Sequence, residues 1–383
     1  MSGIESLIAP TLDRRELPRV LLVAAADPSD PRTWSGTSLY LSMALRDKGL
    51  LAGTHNAGLP LYLRLPCMLV NRAARLVGRH RPFSSDGREQ WAVALNRARL
   101  RRAISRAFPG QPISVLSVSS LAPLPGHGRG CFYVDSIIPQ WAETPNWGYS
   151  PRASERLSRV ESEVLSSATR VFTLSEWARA AVVRDYGVDP GRVISVGGGL
   201  SRSRPPAPKG VESYAARRLL FVGVDWQRKG GPLLLEALRL AREKEPGISL
   251  DVAGASPDTR QSGVRAHGFL AWEQLSQLFA AASLFVMPSY HEAWGQVFVE
   301  AAAGGVASIG LNRAATPEMI VDGVTGRLVE PDAHQLADVI LELTGDPHRL
   351  QVMGEAAKAR VQDWTWDRVV ERMLPSLREA ASV

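Results

Sequence analysis

The amino-acid sequence predicts an α/β protein made of two doubly wound parallel-sheet domains that face each other across a cleft. Two observations lead to this prediction. Short apolar runs alternate with longer amphipathic segments, an order typical of parallel strands joined by helical crossovers. The alternation occurs twice in the 383 residues, once on each side of a break at 197–210. A chain of this length is expected to form two domains of ordinary size.

The first half alternates five predicted strands with four predicted helices. Each strand is a short apolar run, and each helix repeats apolar residues at a spacing of three or four. The strands are predicted at 20–25, 113–117, 131–134, 170–174 and 192–196, and the helices at 37–48, 89–108, 153–167 and 176–186. The segment 53–83 mixes apolar and basic residues without a clean period, so the pattern assigns no structure to it.

The break at 197–210 reads GGGLSRSRPPAPKG, and its glycines and prolines predict a linker. After it, strands are predicted at 218–223, 249–253, 264–268, 284–288 and 306–310, and helices at 232–244, 272–282, 296–303, 334–344, 347–362 and 367–381. We therefore expect an N-terminal domain over 1–200 and a C-terminal domain over 211–363. We expect the last helix, 367–383, to rejoin the N-terminal domain.

Composition excludes several classes of protein. Apolar residues make up 45% and charged residues 22%, as in ordinary globular proteins. The apolar run at 20–26 is too short to span a bilayer, and the charges at 13–16 are the wrong flank for a signal peptide. Two cysteines, Cys67 and Cys131, are too few for a disulfide framework or a structural zinc site. These features predict a protein of the reducing cytoplasm.

Positive charge is concentrated between residues 64 and 106, where eleven arginines face only Asp86 and Glu89, although the whole chain carries a net charge of +7. Such a patch favours phospholipid headgroups, phosphorylated acceptors or nucleic acid, and a solvated helical face is an equally good explanation. With Trp91, Leu95 and Ile104 it could form an amphipathic helix on anionic lipid at the inner face of the membrane, and it could equally line a pocket for a soluble antibiotic-type or saccharide acceptor. No nucleic-acid-reading module occurs, so we expect no nucleic-acid partner.

The segment SYHEAWGQVFVEAAAGG, residues 289–305, places Glu292 and Glu300 on either side of a predicted strand-to-helix turn. Free amides at the start of a helix form an anion site, and Gly295 would allow the backbone to approach the ligand closely. The amides expected to form this site belong to Trp294, Gly295, Gln296 and Val297. The alternative is a pair of solvated acids on a surface helix.

The segment FVGVDWQRKGG, residues 221–231, places Arg228 and Lys229 at the start of a helix, after the first strand of the second half. Guanidinium and ammonium groups at this edge of a sheet could neutralise a diphosphate leaving group without a metal ion. The seven histidines lack the spacing of metal ligands, and the GxxxxGK[ST] and HExxH motifs are absent from the sequence. We therefore expect neither a metal nor a cofactor.

These two segments, together with 27–45, 175–187 and 316–331, resemble the family 4 glycosyltransferases, most sharply over 219–331. The resemblance implies the GT-B fold of two Rossmann-like domains. The C-terminal domain would hold a UDP- or GDP-sugar, and the N-terminal domain would hold the acceptor. It also implies retaining, metal-independent transfer of a hexosyl group to an acceptor hydroxyl. Whether the acceptor is a saccharide, a natural product or a lipid-linked molecule stays open, because the resemblance is weakest over 52–124.

For the donor, the resemblance assigns the charged residues to particular groups. Arg228 and Lys229 would bind the diphosphate, and Glu300 would hold the ribose. Glu292 would contact the transferred sugar or support the reaction centre.

Three further sites follow from the same resemblance. The loop at Gly36 would close over the phosphates, and the HGFL segment at 267–270, which contains Phe269, would meet the nucleobase. Asp135 would orient or deprotonate the acceptor hydroxyl, although a cap on the following turn explains it almost as well.

Two departures from the family pattern affect donor identity. Ala314 and Ala315 replace a frequent Gly-Gly, and GGGL at 197–200 replaces the usual Asn-Gly of the hinge. Two alternatives to a transferase are a GT-B enzyme of other chemistry, such as a phosphorylase or epimerase, and a non-catalytic glycosyltransferase-like binding subunit. The intact charged residues favour catalysis over the latter.

Overall fold

The structure is a computed structural model, and it describes residues 18–31, 33–85, 87–120, 124–126, 130–144, 147–200, 206–207, 209–258 and 260–381. The first 17 residues of the predicted N-terminal domain lie outside the described residues, as do 201–205 and 208 of the predicted linker and the last two residues of the predicted final helix.

The first domain is a parallel sheet in the strand order β2-β1-β3-β4-β5-β6. Its strands are β1 (Val20–Ala24), β2 (Leu51–Asn56), β3 (Ser114–Val118), β4 (Cys131–Val134), β5 (Arg170–Thr173) and β6 (Val193–Ser195). Its helices are α1 (Thr37–Asp47), α2 (Leu61–Leu76), α3 (Gln90–Ala107), α4 (Ile138–Ala142), α5 (Pro151–Ser166) and α6 (Glu176–Tyr186). Residues 20–24, 114–118 and 131–134 are buried throughout, as expected when helices cover both faces of a sheet.

The second domain is a parallel sheet in the strand order β12-β11-β10-β7-β8-β9. Its strands are β7 (Arg218–Val222), β8 (Ser249–Ala253), β9 (Val264–Gly268), β10 (Leu284–Met287), β11 (Ser308–Leu311) and β12 (Gly326–Val329). Its helices are α7 (Gly231–Lys244), α8 (Trp272–Ala281), α9 (Gln296–Ala303), α10 (Thr316–Met319), α11 (Ala333–Thr344) and α12 (Pro347–Val361). Among the described helices of the chain, none has both the length and the apolar character that crossing a bilayer requires.

The two parallel sheets with flanking helices confirm the predicted fold class. The segment 53–83, to which the pattern assigns no structure, contains α2 and the last four residues of β2, and the short elements α4, α10 and β12 are not predicted either. The strand predicted at 306–310 begins at Ser308. Strand β2 lies at a sheet edge and is largely half-exposed, so it lacks the apolar run that reveals a buried strand.

The last helix, α13 (Trp366–Ala381), packs on the first domain although it follows the second domain in the chain. Val370, Met373 and Leu377 are buried against the core that contains β1, β3 and β4. The guanidinium of Arg372 also donates to the carbonyl oxygen of Val196, at 2.8 Å. The chain therefore crosses between the domains twice, at the linker and again before α13.

Shortening Met373 is expected to destabilise the first domain. Met373→Ala should lower the free energy of unfolding by about 2–5 kcal/mol, because a fully buried side chain is removed and leaves a cavity. Thermal unfolding followed by circular dichroism measures the change. Arg368→Ala, on an exposed position of the same helix, should change the stability by less than about 0.5 kcal/mol. Equal effects of the two variants would show that α13 does not contribute to the core.

Candidate functional site

A cleft of about 1210 Å³ lies between the two domains, at the carboxyl ends of both sheets. Doubly wound sheets bind ligands at the topological switch point. There the connections that leave two neighbouring strands run to opposite sides of the sheet. In the first sheet this point lies between β1 and β3, and in the second it lies between β7 and β10. The turns that follow these strands form the walls of the cleft.

In the second domain, the turn after β7 and the turn after β10 are held together by hydrogen bonds. The carbonyl oxygen of Arg228 accepts from the amide of Tyr290 at 3.0 Å, and the Arg228 guanidinium donates to the carbonyl of His291 at 2.6 Å. Gly230 has a φ of +77°, and a Cβ at this position would collide with the carbonyl oxygen of Pro288. Only glycine allows the two turns to approach this closely.

Arg228 and Lys229 both line the cleft, and they lie in the turn before α7, which begins at Gly231. They precede the helix by three and two residues, and the helix itself begins one residue before its predicted start at 232. The Lys229 ammonium lies 3.3 Å from a carboxylate oxygen of Glu292, with the two side chains 14% and 11% exposed. The Arg228 guanidinium pairs with Asp225 at 3.1 Å and lies over the ring of Trp141 at 5.8 Å. Positive charge is therefore fixed on this wall by well-defined partners.

Glu292 and Glu300 are both buried, and both line the cleft. The alternative that they are solvated surface acids is therefore wrong. The carbonyl oxygen of Glu292 accepts a hydrogen bond from the amide of Ala315 at 3.0 Å. The preceding residue, Ala314, has a φ of +50°, a conformation that glycine adopts without strain. The two alanines that replace Gly-Gly thus form the turn that supports Glu292.

The start of α9 differs from the predicted row of free amides. The amide of Gln296 donates to the carbonyl of Trp294 at 2.9 Å, so the prediction is wrong for this amide. Trp294, Gln296 and Val297 line the cleft, whereas Gly295 is not among its lining residues. A Cβ on Gly295 would collide with the ring of Phe298, so packing explains this glycine better than a close approach to a ligand.

The side chains of Trp294 and Gln296 face the linker between the domains. The Trp294 indole packs so closely on Gly198 that a Cβ there would collide with it, and the Gln296 amide group donates to the carbonyl of Gly199 at 3.3 Å. The hydroxyl of Tyr133, from the first domain, donates to the carbonyl of Gly197 at 2.6 Å. The GGGL segment is thus clamped from both domains.

Phe269 lines the cleft and is 79% exposed. Leu270, Trp272 and Val224 also line the cleft and add apolar surface to it. His267, from the same segment, is not part of this lining, because its imidazole contacts the Asp251 carboxylate at 2.6 Å. Within the HGFL segment, Phe269 and Leu270 therefore line the cleft, whereas His267 does not.

Asp135 lines the cleft from the end of β4 in the first domain. Its carboxylate accepts hydrogen bonds from the Trp34 indole at 3.0 Å and from the Ser136 hydroxyl at 3.1 Å. Burial raises the pKa of Asp135 above its usual value, and these two hydrogen bonds oppose the rise. The Trp34 bond ties Asp135 to the turn before α1.

That turn has an unusual backbone. Trp34, Ser35 and Gly36 all have left-handed conformations, with φ values of 49°, 55° and 81°. A left-handed residue other than glycine costs about 1 kcal/mol or more. A Cβ on Gly36 would lie 2.6 Å from the Tyr40 ring. Gly36 is not among the lining residues, but Trp34, Ser35 and Thr37 are, so the turn presents these neighbours to the cleft.

His291, which no sequence motif predicts as a site residue, is 3% exposed and lines the cleft. Its ring lies between Trp141, at a centroid distance of 4.2 Å, and Trp177, at 5.3 Å. Burial, and secondly the nearby Arg228 charge, lower the pKa of His291 to about 4, so the imidazole is neutral at neutral pH. In the sequence, the only signal for a role of His291 is its position next to Glu292. Its contacts with the two tryptophans depend on the packing of the other domain, which the local sequence does not reveal.

Glu318 is also not predicted as a site residue. Its carboxylate accepts hydrogen bonds from the amides of Glu176 and Trp177, at 2.9 and 2.8 Å. These amides open helix α6 of the first domain, while Glu318 lies on α10 of the second. A carboxylate at a helix N-terminus satisfies free amides and interacts favourably with the helix dipole. Glu318 thus caps a helix across the domain boundary.

Comparison with known proteins confirms the resemblance that the motifs carry. Residues 216–346 match a family model described as glycosyl transferases group 1. The chain is 28% identical over 289 residues to alpha-maltose-1-phosphate synthase of Mycolicibacterium smegmatis, a match covering 65% of this chain and 72% of that protein. It is 30% identical over 273 residues to D-inositol 3-phosphate glycosyltransferase of an Arthrobacter species, covering 64% and 62%.

Solved structures share the fold over nearly the whole chain. Sucrose-phosphate synthase from Thermosynechococcus elongatus superposes with a TM-score of 0.65 and 19% identity, covering 93% of this chain and 97% of that one. Anabaena HepE in complex with UDP-glucose gives 0.64 and 16%, covering 94% and 99%. WaaG, a glycosyltransferase involved in lipopolysaccharide biosynthesis, gives 0.65 and 16%, covering 93% and 98%. These neighbours confirm the GT-B fold.

Removing the cross-domain cap should expose the first amides of α6. In Glu318→Ala, hydrogen exchange at Glu176 and Trp177 is expected to accelerate about tenfold or more, because both amides lose a charged acceptor. Exchange measured by NMR or by mass spectrometry of short peptides tests this. Asp332→Ala is a matched control, because Asp332 caps α11 within the second domain and should leave α6 unchanged. Unchanged exchange at α6 in Glu318→Ala would contradict the cross-domain cap.

Proposed function

We propose that this group 1 glycosyltransferase moves a hexosyl group from a UDP- or GDP-sugar to an acceptor hydroxyl, with retention at the anomeric carbon and without a metal ion. The observation that carries the proposal is the juxtaposition of Arg228 and Lys229 with the buried acids Glu292 and Glu300 at the switch point of the second sheet. The complex of Anabaena HepE with UDP-glucose makes UDP-glucose the first donor to test.

The two cations would stabilise charge on the departing diphosphate. A fixed positive charge in a water-poor cleft interacts more strongly with the negative charge on the leaving group than it would in bulk water. Because the charge is already in place, the surrounding groups do not have to reorient during the reaction. Lys229 already pairs with Glu292 at 3.3 Å, so a phosphate bound by Lys229 would compete with this carboxylate for the ammonium group. Donor binding would thereby make Glu292 available to the transferred sugar.

The remaining groups of the second domain match the other parts of such a donor. Carboxylates accept hydrogen bonds from diols, so Glu300 would hold the ribose and Glu292 the hydroxyls of the transferred sugar. The exposed ring of Phe269, with Leu270, offers an apolar surface on which a nucleobase could stack. This surface is compatible with either uracil or guanine.

The first domain would bring the acceptor to the same point. Asp135 would orient the attacking acceptor hydroxyl. The departing phosphate would take the proton of that hydroxyl, which attacks from the same face of the sugar that the phosphate leaves. The bond from the anomeric carbon to the phosphate oxygen breaks as the bond to the acceptor oxygen forms on that face, so configuration is retained. Contacts across the domain boundary, among them the Glu318 cap, would limit the entry of water.

Removing the Lys229 ammonium should abolish most of the activity without unfolding the protein. Lys229→Ala is expected to lower kcat by at least about a hundredfold, because one charge on the leaving group is lost. Turnover with UDP-glucose and GDP-sugars, and the thermal shift caused by each nucleotide, provide the measurements. Lys244→Ala, which removes an exposed lysine from α7, should behave like the parent protein.

Near-normal turnover in Lys229→Ala would refute the phosphate site. Consumption of the donor only when free phosphate is the acceptor would indicate a phosphorylase instead. Nucleotide binding without turnover for any acceptor would indicate a binding subunit.

Asp135 should determine the acidic side of the pH profile. If its ionised form holds the acceptor hydroxyl, kcat/KM falls as the pH drops through a pKa raised above the ordinary aspartate value. Asp135→Asn should lower kcat/KM and remove this fall. His291→Gln serves as the comparison, since His291 has a pKa of about 4 and also titrates in acid. A fall that persists in Asp135→Asn and disappears in His291→Gln would assign it to the histidine.

A further inference from the structure

We propose that the outward face of α2 docks on an anionic lipid bilayer. Resting on the proposed function, we infer further that this contact brings the cleft to a membrane-resident acceptor with an anionic headgroup. We call this outward face the α2 surface, and it consists of Leu61, Tyr62, Leu65, Met68, Leu69 and Leu76.

The α2 surface exposes large apolar side chains along one side of a helix. Leu61, Leu65 and Leu69 follow each other at a spacing of four residues and therefore lie in one row. Leu69 is 64% exposed, and Leu76 is 81% exposed. A soluble monomer rarely exposes a continuous apolar area of this kind unless another surface covers it.

Polar contacts explain why this helix turns its apolar side outward. Asn71 is the one residue of α2 that is buried, and its side-chain amide donates to the carbonyl of Phe83 at 2.8 Å. The amide of Phe83 donates back to the Asn71 side-chain oxygen at 3.3 Å. The guanidinium of Arg64 donates to the carbonyl of Ser85 at 3.0 Å. Hydrogen bonds on its polar side therefore hold α2 to residues 83–85 of the segment that follows it.

The charge around the α2 surface selects the occupant. Arg72, Arg75 and Arg79 are exposed beside it, and the sequence contains no acidic residue between Asp47 and Asp86. A basic helix with an apolar stripe binds in the plane of anionic membranes, where the apolar side chains insert and the arginines meet lipid phosphates. A second copy of the chain would bring the same arginines face to face, which electrostatic repulsion opposes.

The N-terminal end of α2 lies next to the cleft. Leu59, two residues before Leu61 of the α2 surface, lines the cleft, and so does Arg64 in the first turn of the helix. A bilayer on the α2 surface would therefore lie close to the cleft, and an anionic headgroup that enters the cleft from it would meet the positive charge of Arg64.

The α2 surface narrows the membrane contact expected for the arginine-rich stretch 64–106. Of the apolar residues expected to face lipid, Trp91 is 46% exposed, whereas Ile104 packs against the core into which α3 turns Val93 and Leu100. The row of exposed apolar side chains belongs to α2, in the segment that sequence periodicity left unassigned.

Cosedimentation of the full chain with vesicles tests the proposal. The protein should bind vesicles of phosphatidylglycerol mixed with phosphatidylcholine and should bind pure phosphatidylcholine at least tenfold more weakly. Leu69→Glu should lower binding to the anionic vesicles more than tenfold, because it places a charge in the apolar row. Val352→Glu, at a similarly exposed position on α12, should leave binding unchanged.

The arginines are tested separately. Arg72→Gln with Arg75→Gln should weaken binding about fivefold for each arginine removed. The matched pair Arg102→Gln with Arg106→Gln, at exposed positions on α3, should have a much smaller effect. If both pairs of substitutions weakened vesicle binding equally, the membrane would be attracted by the charge of the whole domain and not by α2, which would contradict the proposal.

Two results would overturn the proposal outright. One is the absence of binding to anionic vesicles at low salt. The other is a dimer, seen by light scattering, that Leu69→Glu dissociates, since this would identify a second copy as the occupant. The thermal shift with UDP is measured on the same samples. A normal shift without vesicle binding refutes only this inference, whereas vesicle binding without any nucleotide shift refutes only the proposed function.

Discussion

The contact between the turns that follow β7 and β10 is the constraint on which the cleft depends. The two strands are neighbours at the switch point of the second sheet, so the chain must leave both at the same place. Gly230 lets the turns approach, and the backbone of Arg228 bonds to that of Tyr290. This junction brings Lys229 to Glu292, although more than sixty residues separate them. The charged centre is thus a consequence of sheet topology.

The same part of the molecule also holds the two domains together. His291, one residue before Glu292, lies against two tryptophans of the first domain, and Arg228 lies over one of them. Glu318 caps a helix of the first domain through two amides. In the loop after β10, Glu292, which we propose binds the donor, is therefore the direct neighbour of His291, which contacts the other domain. A rotation of one domain against the other would therefore move His291 and Glu292 together relative to the first domain.

The sequence patterns predict those elements and residues whose environment depends on nearby parts of the chain. The buried strands and the helices that cover them were found from periodicity, and the charged residues of the cleft from motifs at strand ends. Edge strand β2 and helix α2 were not found, because the first is half-exposed and the second turns its apolar side outward. The roles of His291 and Glu318 depend on partners in the other domain, which no local pattern encodes. The amide of Gln296 was wrongly taken as free, because a tight turn with Trp294 uses it.

Backbone strain is concentrated beside the acids of the cleft. Trp34 and Ser35 adopt left-handed conformations, and the Trp34 indole is thereby held on the carboxylate of Asp135. Ser119, at the end of β3, is left-handed as well, and its amide donates to the carbonyl of Tyr133, two residues before Asp135. On the opposite wall, left-handed Ala314 precedes the amide that bonds to the carbonyl of Glu292. Such conformations cost about 1–3 kcal/mol each and persist only where the surroundings enforce them. The strained backbone therefore holds the Asp135 carboxylate on one wall and the main chain of Glu292 on the other, which is the arrangement expected if both acids are positioned before a substrate binds.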